Sequence, residues 1–195
     1  MIAIVDYGCG NIKSVTCALD RLGAEYELTS DASRIRSASK VILPGVGNAA
    51  EAMAALESTG LVPVIRSLRK PVLGICVGMQ LMCRHSEEGD VDCIGLFDCD
   101  VRRFEANADA KVPHMGWNSI SNLDGKLFKG LQGGSFVYYL HSYYAGLCTD
   151  TVATTRHGGV MFSAALKYEN FYGTQFHPEK SGSVGERILA NFLAL

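Results

Sequence analysis

No stretch of the 195 residues is apolar for long enough to cross a bilayer, so a transmembrane helix is not what organises the chain. Charge is sparse and balanced. The 18 Lys and Arg against 20 Asp and Glu leave a net charge of −2, and no Lys/Arg stripe gathers in one segment. A nucleic-acid partner, whose phosphates call for a basic face, is therefore not expected. The opening MIAIVDYGCGN has neither a basic n-region nor a small-residue cleavage site, so the expectation is a cytoplasmic chain without a secretory leader. The cysteines, at 9, 17, 76, 83, 93, 99 and 148, form no C-x-x-C, and no His follows at zinc-finger spacing. Neither a metal site nor a disulfide framework is expected, and no cofactor is called for. Six of the seven cysteines read as small buried hydrophobes. Cys76 needs a separate reading.

What is present suits one folded domain over 1–195: 48% of the residues are hydrophobic, enough for a sizeable core. Ile2 to Val5, Glu25 to Leu28, Val41 to Leu43 and Val72 to Ile75 are strand candidates that alternate with helix patterns. Asn11 and Asn48 stand as N-caps, Gly23 as a stop, and Glu51 at the capping-box position after Asn48. Strands apolar throughout predict an α/β fold, a mixed and largely parallel sheet with helices on both faces. Ser135 to Leu140, Ser163 to Glu169 and Phe171 to Phe176 predict appended antiparallel hairpins, the last two segments joined near Asn170. Ser183 and Glu186 form a capping box that opens a C-terminal helix.

Gly74-Ile75-Cys76-Val77-Gly78 falls where a strand becomes a helix. It has the form of the G-x-S-x-G nucleophile elbow with Cys in place of Ser. Such a turn exposes the side chain at a helix N-terminus, where a thiol loses its proton more readily. It also leaves the N–H of Val77 to stabilise an oxyanion. The competing reading is a buried Cys between two packing glycines. His177, in Gln175-Phe176-His177-Pro178-Glu179-Lys180-Ser181, supplies a base, and Glu179 could hold its tautomer.

The elbow, the Pro44-Gly45-Val46-Gly47 turn and the F-H-P-E segment together resemble the class I, triad-type glutamine amidotransferases. The likeness runs from the first strand to the last helix. It implies Cys76, His177 and Glu179 as the triad, with L-glutamine hydrolysed to glutamate and ammonia through a glutamyl thioester. It also implies Val46 and Gly47, with Val77, as the oxyanion hole, and Gln80, Ser142 and Tyr143 as contacts to glutamine. The bland alternatives are an exposed helix glutamine for Gln80 and a packed histidine for His141.

Three segments narrow the likeness: Asp6 to Asn11, Val112 to Asn118 and Tyr139 to Tyr143. Together they resemble the glutaminase subunits of imidazole glycerol phosphate synthases. That resemblance implies a heterodimer with a (β/α)₈-barrel cyclase that receives the ammonia in histidine biosynthesis. Asn11, Trp117 and Lys180 would then sit at the interface. Two readings stand for Trp117, a core side chain or an interface anchor, and Lys180 reads equally as a solvated charge. The alternatives for the whole chain are a glutaminase serving another synthase, a non-catalytic module that keeps the fold, and a Cys hydrolase of a different amide.

Overall fold

The computed structural model describes residues 1–106 and 111–195. β1 (Ile2–Val5), β3 (Lys40–Gly45) and β4 (Val72–Cys76) are apolar on both faces and buried almost throughout, as interior strands of a parallel sheet must be. β1 pairs in parallel with β3, β3 with β4, and β2 (Tyr26–Thr29) closes the edge beside β1. On the other side of β4 come β13 (Phe171–Thr174), β12 (Val160–Tyr168) and β11 (Thr151–His157), in the order β11-β12-β13-β4-β3-β1-β2. The hairpin expected at Asn170 is present, but it is not simply appended. Its second strand, β13, runs parallel to β4 and so carries the parallel sheet one strand further. Asn170 ties the turn down by donating to the carbonyls of Leu68 and Lys70 at 3.2 and 2.8 Å.

The helices are α1 (Ile12–Arg21), α2 (Ala32–Ser37), α3 (Ala49–Ser58), α4 (Val62–Arg66), α5 (Val77–Gln80) and α6 (Gly182–Leu193). The side chain of Asn11 accepts from the N–H of Ser14, and that of Asn48 from the N–H groups of Ala50 and Glu51. No bond from the Glu51 side chain back to the Asn48 N–H occurs among the described residues; Glu88 Oε2 instead accepts from the next N–H, that of Ala49, at 2.8 Å. The capping box read at Ser183 and Glu186 does not form, because α6 begins one residue before Ser183 and Ser181 stands at its N-cap. Glu186 pairs with Arg21 at 2.8 Å. Ser181 Oγ donates to the His177 carbonyl at 2.6 Å and accepts from the Tyr138 N–H at 2.9 Å. The helix entrance is thus tied to the F-H-P-E segment.

Two smaller β units flank the main sheet. β5 (His85–Ser86), β6 (Val91–Asp92), β7 (Asp100–Arg103) and β10 (Tyr143–Ala145) form one, in the order β10-β7-β5-β6. β8 (His114–Ile120) and β9 (Ser135–His141) form an antiparallel ribbon with His114 opposite His141 and Trp117 opposite Tyr138. The strand period of two sorts this ribbon cleanly. His114, Ile120, Val137, Tyr139 and His141 are buried, whereas Met115, Trp117, Phe136 and Leu140 face outward and exposed.

Register and glycine together set the elbow. Gly45 lies beside Cys76 in the β3–β4 ladder. A Cβ on Gly78 would overlap the Leu43 carbonyl oxygen, and one on Gly45 would overlap the backbone at Gly78. One on Gly74 would stand 2.7 Å from the Gly78 oxygen. At Gly78 and Gly45 the nearest obstacles are backbone atoms, which cannot swing aside. Gly78→Ala is therefore expected to lower unfolding free energy by about 1–3 kcal/mol in urea melts. Gly133→Ala, where a Cβ meets nothing within 4 Å, is expected to change it by less than about 0.5 kcal/mol.

Candidate active site

Cys76 ends β4, and α5 starts at the next residue. Its backbone sits at φ 54°, ψ −112°, a region that a residue with a Cβ occupies only when its surroundings force it there. The constraint comes from pairing with Gly45 of β3 on one side and from β13, which holds the preceding residue Ile75, on the other. The expected helix is only a four-residue turn, so its dipole adds little at the sulfur. Activation falls to the neighbouring side chains. The sulfur lies 3.8 Å from the Leu140 carbonyl oxygen and 3.8 Å from Gln175 Nε2.

His177 follows β13, and Pro178 turns the chain back at once so that Glu179 reaches the imidazole. Nδ1 stands 2.8 Å from Glu179 Oε1, with both side chains buried. Burial by itself drives the imidazole towards its neutral form. The facing Cys76 sulfur and Glu179 outweigh that and raise the His177 pKa to about 10. With Nδ1 committed to Glu179, Nε2 is the nitrogen left for the thiol proton.

Cys76 and His177 open onto one cavity of about 600 Å³ that Val46, Gly47, Val77, Gln80, Ser142 and Tyr143 also line. Every residue read from the sequence as catalytic, oxyanion-stabilising or glutamine-binding is thus gathered at one place, with Glu179 behind His177. Val46 and Gly47 make no hydrogen bond among the described residues, which leaves their peptide groups uncommitted at the cavity mouth. Val77 opens α5, where the first N–H groups have no acceptor within the helix.

Gln80 is not the exposed helix residue of the bland reading. It is 2% exposed, and its Nε2 donates to the Tyr143 carbonyl at 2.9 Å and to Gln175 Oε1 at 3.0 Å. Its own Oε1 remains an open acceptor. Asn11 and Lys180 line the same cavity. Trp117 does not; at 56% exposure it is no core residue either. It stands edge-on to Tyr138, over whose ring Lys180 Nζ lies at 5.9 Å.

Sequence reasoning missed two residues. Gln175 is fully buried between Gln80 and Cys76; its only signal is a polar residue beside an apolar strand. Glu88 lines the cavity while capping α3, and burial raises its pKa. Nothing local in Ser86-Glu87-Glu88-Gly89 announces this, since β6 and α3 meet only in three dimensions.

Beside the cavity, burial holds the pKa values of His114 and His141 down at about 4 and about 3, against 6.5 for a free imidazole. A depressed histidine favours the fold while the unfolded chain is also neutral, and the benefit is lost as pH falls from 6.5 towards the folded values. His177, with its raised pKa, has the opposite slope, which is strong above pH 6.5 and fades below it as the unfolded imidazole also becomes protonated. Stability is therefore expected to fall between pH 6.5 and 5, by at most about 1.4 kcal/mol per pH unit for each histidine. Urea unfolding across that range checks this, and the slope is expected to shrink in His114→Phe.

The model of the family described as glutamine amidotransferase class-I matches residues 3–195. The imidazole glycerol phosphate synthase subunit HisH of Bacteroides thetaiotaomicron is 55% identical over 195 residues, covering 100% of this chain and 99% of that one. The protein of the same name in Xanthomonas axonopodis pv. citri is 46% identical, with 100% and 97% covered. Among solved structures, a putative GMP synthase component from Thermoplasma acidophilum aligns with a TM-score of 0.76 at 25% identity, covering 99% of this chain and 92% of that one. The chain belongs to the class-I glutamine amidotransferase family, among its HisH-type members.

Proposed function

We propose that the chain is the glutaminase subunit of an imidazole glycerol phosphate synthase, in which Cys76 attacks the side-chain amide of glutamine. The buried His177–Glu179 pair facing the Cys76 sulfur carries this reading. His177, whose pKa the Cys76 sulfur and Glu179 raise, holds on Nε2 the proton drawn from the Cys76 thiol while the sulfur bonds to the amide carbon, and gives that proton to the departing nitrogen, which leaves as ammonia. A water that gives its proton to His177 then cleaves the glutamyl thioester, releasing glutamate and restoring the thiol. The negative oxygen of each tetrahedral intermediate is met by N–H groups of Val77 and of the Val46–Gly47 turn. Gln80 Oε1 and the carboxylate of Glu88 offer acceptors for the α-ammonium of glutamine, and Ser142 and Tyr143 close over its other end.

The ammonia is destined for a barrel-fold cyclase, which seats on the outer face of the β8–β9 ribbon. Met115, Trp117, Phe136 and Leu140 present apolar surface there, and Leu140 also borders the cavity. Lys180, packed on Tyr138 at the same rim, adds a charge for an acidic partner residue. A partner on this face closes the mouth and keeps ammonia from water. Seven unpaired cysteines suit a reducing, cytoplasmic setting.

Glutamate release is to be measured for the chain alone, with the cyclase, and with the cyclase and its substrate. The chain alone is expected to be slow and the full complex fast; rapid release indifferent to the cyclase contradicts the coupling. Cys76→Ala is expected to abolish release, and Glu179→Gln to lower kcat by about 10²–10⁴ by unsettling the imidazole tautomer. Trp117→Ala is expected to weaken cyclase binding by about 1–4 kcal/mol in calorimetry.

A further inference from the structure

From the Ser142–Tyr143 wall of the cavity, which His141 also lines, a polar chain that the chemistry does not use directly runs back into the protein. Asn118 Nδ2 is 3.0 Å from the Arg156 carbonyl oxygen and 3.2 Å from His114 Nε2. His114 Nδ1 is 2.9 Å from His141 Nε2, and His141 Nδ1 is 2.7 Å from the Tyr143 carbonyl oxygen. That same oxygen receives the Nε2 of Gln80 at 2.9 Å.

The direction of this chain is fixed by its ends. A backbone carbonyl only accepts, so His141 must carry its proton on Nδ1 to satisfy Tyr143. Both rings are buried and neutral at pH 7. Neutral His141 then accepts at Nε2, which requires the His114 proton on Nδ1 and makes His114 Nε2 an acceptor. Asn118 must donate to it, as its second N–H donates to Arg156. The Asn118 oxygen, which accepts from the Ser119 N–H at 2.8 Å, agrees with this orientation. One arrangement of protons satisfies every group, and each alternative leaves a buried pair facing donor to donor or acceptor to acceptor. Packing holds the rings in place: His157 stacks on His114 at 4.0 Å, and Phe104 stands 5.4 Å from His141.

We propose that His114 and His141 are positioning residues for glutamine binding, fixing the Tyr143 carbonyl and, through it, the side chain of Gln80. The claim rests on the reading of the cavity as a glutamine site. Gln80 spends one N–H on Tyr143 and the other on Gln175, and that leaves Oε1 aimed for the substrate. If the Tyr143 carbonyl turns, Gln80 loses the partner that fixes its amide. Among the described residues neither histidine hydrogen-bonds to Cys76, His177 or Glu179, so loss of the two histidines is expected to act on substrate binding and to leave the nucleophile in place.

The test compares two reagents at Cys76, with the modified residue located by mass spectrometry. Iodoacetamide reports the thiol alone, and a diazoketone shaped like glutamine reports the thiol together with the binding site. In His141→Phe, iodoacetamide labelling is expected to be unchanged, while diazoketone labelling at low concentration slows by about fivefold to tenfold, the worth of a lost hydrogen bond. His141→Asn, whose Nδ2 can stand where Nδ1 stood, is expected to recover most of the loss. His114→Phe keeps the donor but frees its tautomer, and is expected to fall between. Nitrogen-15 spectra of the wild-type chain at pH 7 are expected to show both histidines as neutral Nδ1–H tautomers. Wild-type rates for the diazoketone in His141→Phe and His114→Phe, or Nε2–H tautomers in the wild type, overturn the proposal. A wild-type Cys76 that takes iodoacetamide but ignores the diazoketone overturns the glutamine reading instead.

Discussion

The site depends on how closely two backbones approach where β3 and β4 end. Gly45 and Gly78 lie so near one another that no side chain fits at either position, and Gly74 continues the contact beneath. That approach places the turn at Val46 and Gly47 over Cys76. The same ladder, with β13 on its far side, holds Cys76 at positive φ. Strain of this kind costs on the order of 1–3 kcal/mol and persists only where the surroundings over-determine the backbone. Here two parallel neighbours do so. Because β13 is one of them, it also delivers His177 to the carboxyl ends of the strands, where the nucleophile is.

Electrostatics around the cavity divide the histidines by environment. His177 is buried between the Cys76 sulfur and Glu179, which together outweigh burial and hold it towards its charged form. His141 is buried with a carbonyl, a second histidine and aromatic rings, and is held neutral. Similar burial thus gives opposite protonation, and the partners decide which. One ring is equipped to exchange a proton and the other to keep a fixed hydrogen-bond direction. The cavity wall between them carries Leu140, whose carbonyl faces the sulfur, and Tyr143, whose carbonyl holds Gln80.

The parts of the site that follow from short-range pattern were legible in the sequence. The glycines around Cys76, the proline that bends His177 back to Glu179, and the Pro44 to Gly47 turn each state a local backbone requirement. The parallel sheet was legible in strands with no polar alternation. What escaped depends on distant segments meeting. The interior place of β13 is set by pairing with a strand a hundred residues earlier, roughly half the chain away. Ser183 and Glu186 matched a capping pattern, but the N-cap is Ser181, two residues sooner, where its hydroxyl is engaged with His177 and Tyr138. Glu88 and Gln175 carry no local signal. Trp117 could not be assigned to core or surface until the ribbon's register set its face outward.

A nucleophilic Cys76 is the centre of this account, and the covalent intermediate is its most direct witness. The complex with cyclase and cyclase substrate is to be quenched in acid during steady glutamine turnover and digested, and the peptide containing Cys76 weighed. The account predicts a population carrying one glutamyl group on Cys76, absent without glutamine. Steady ammonia release with Cys76 unmodified, or with the glutamyl group on another residue, would contradict it.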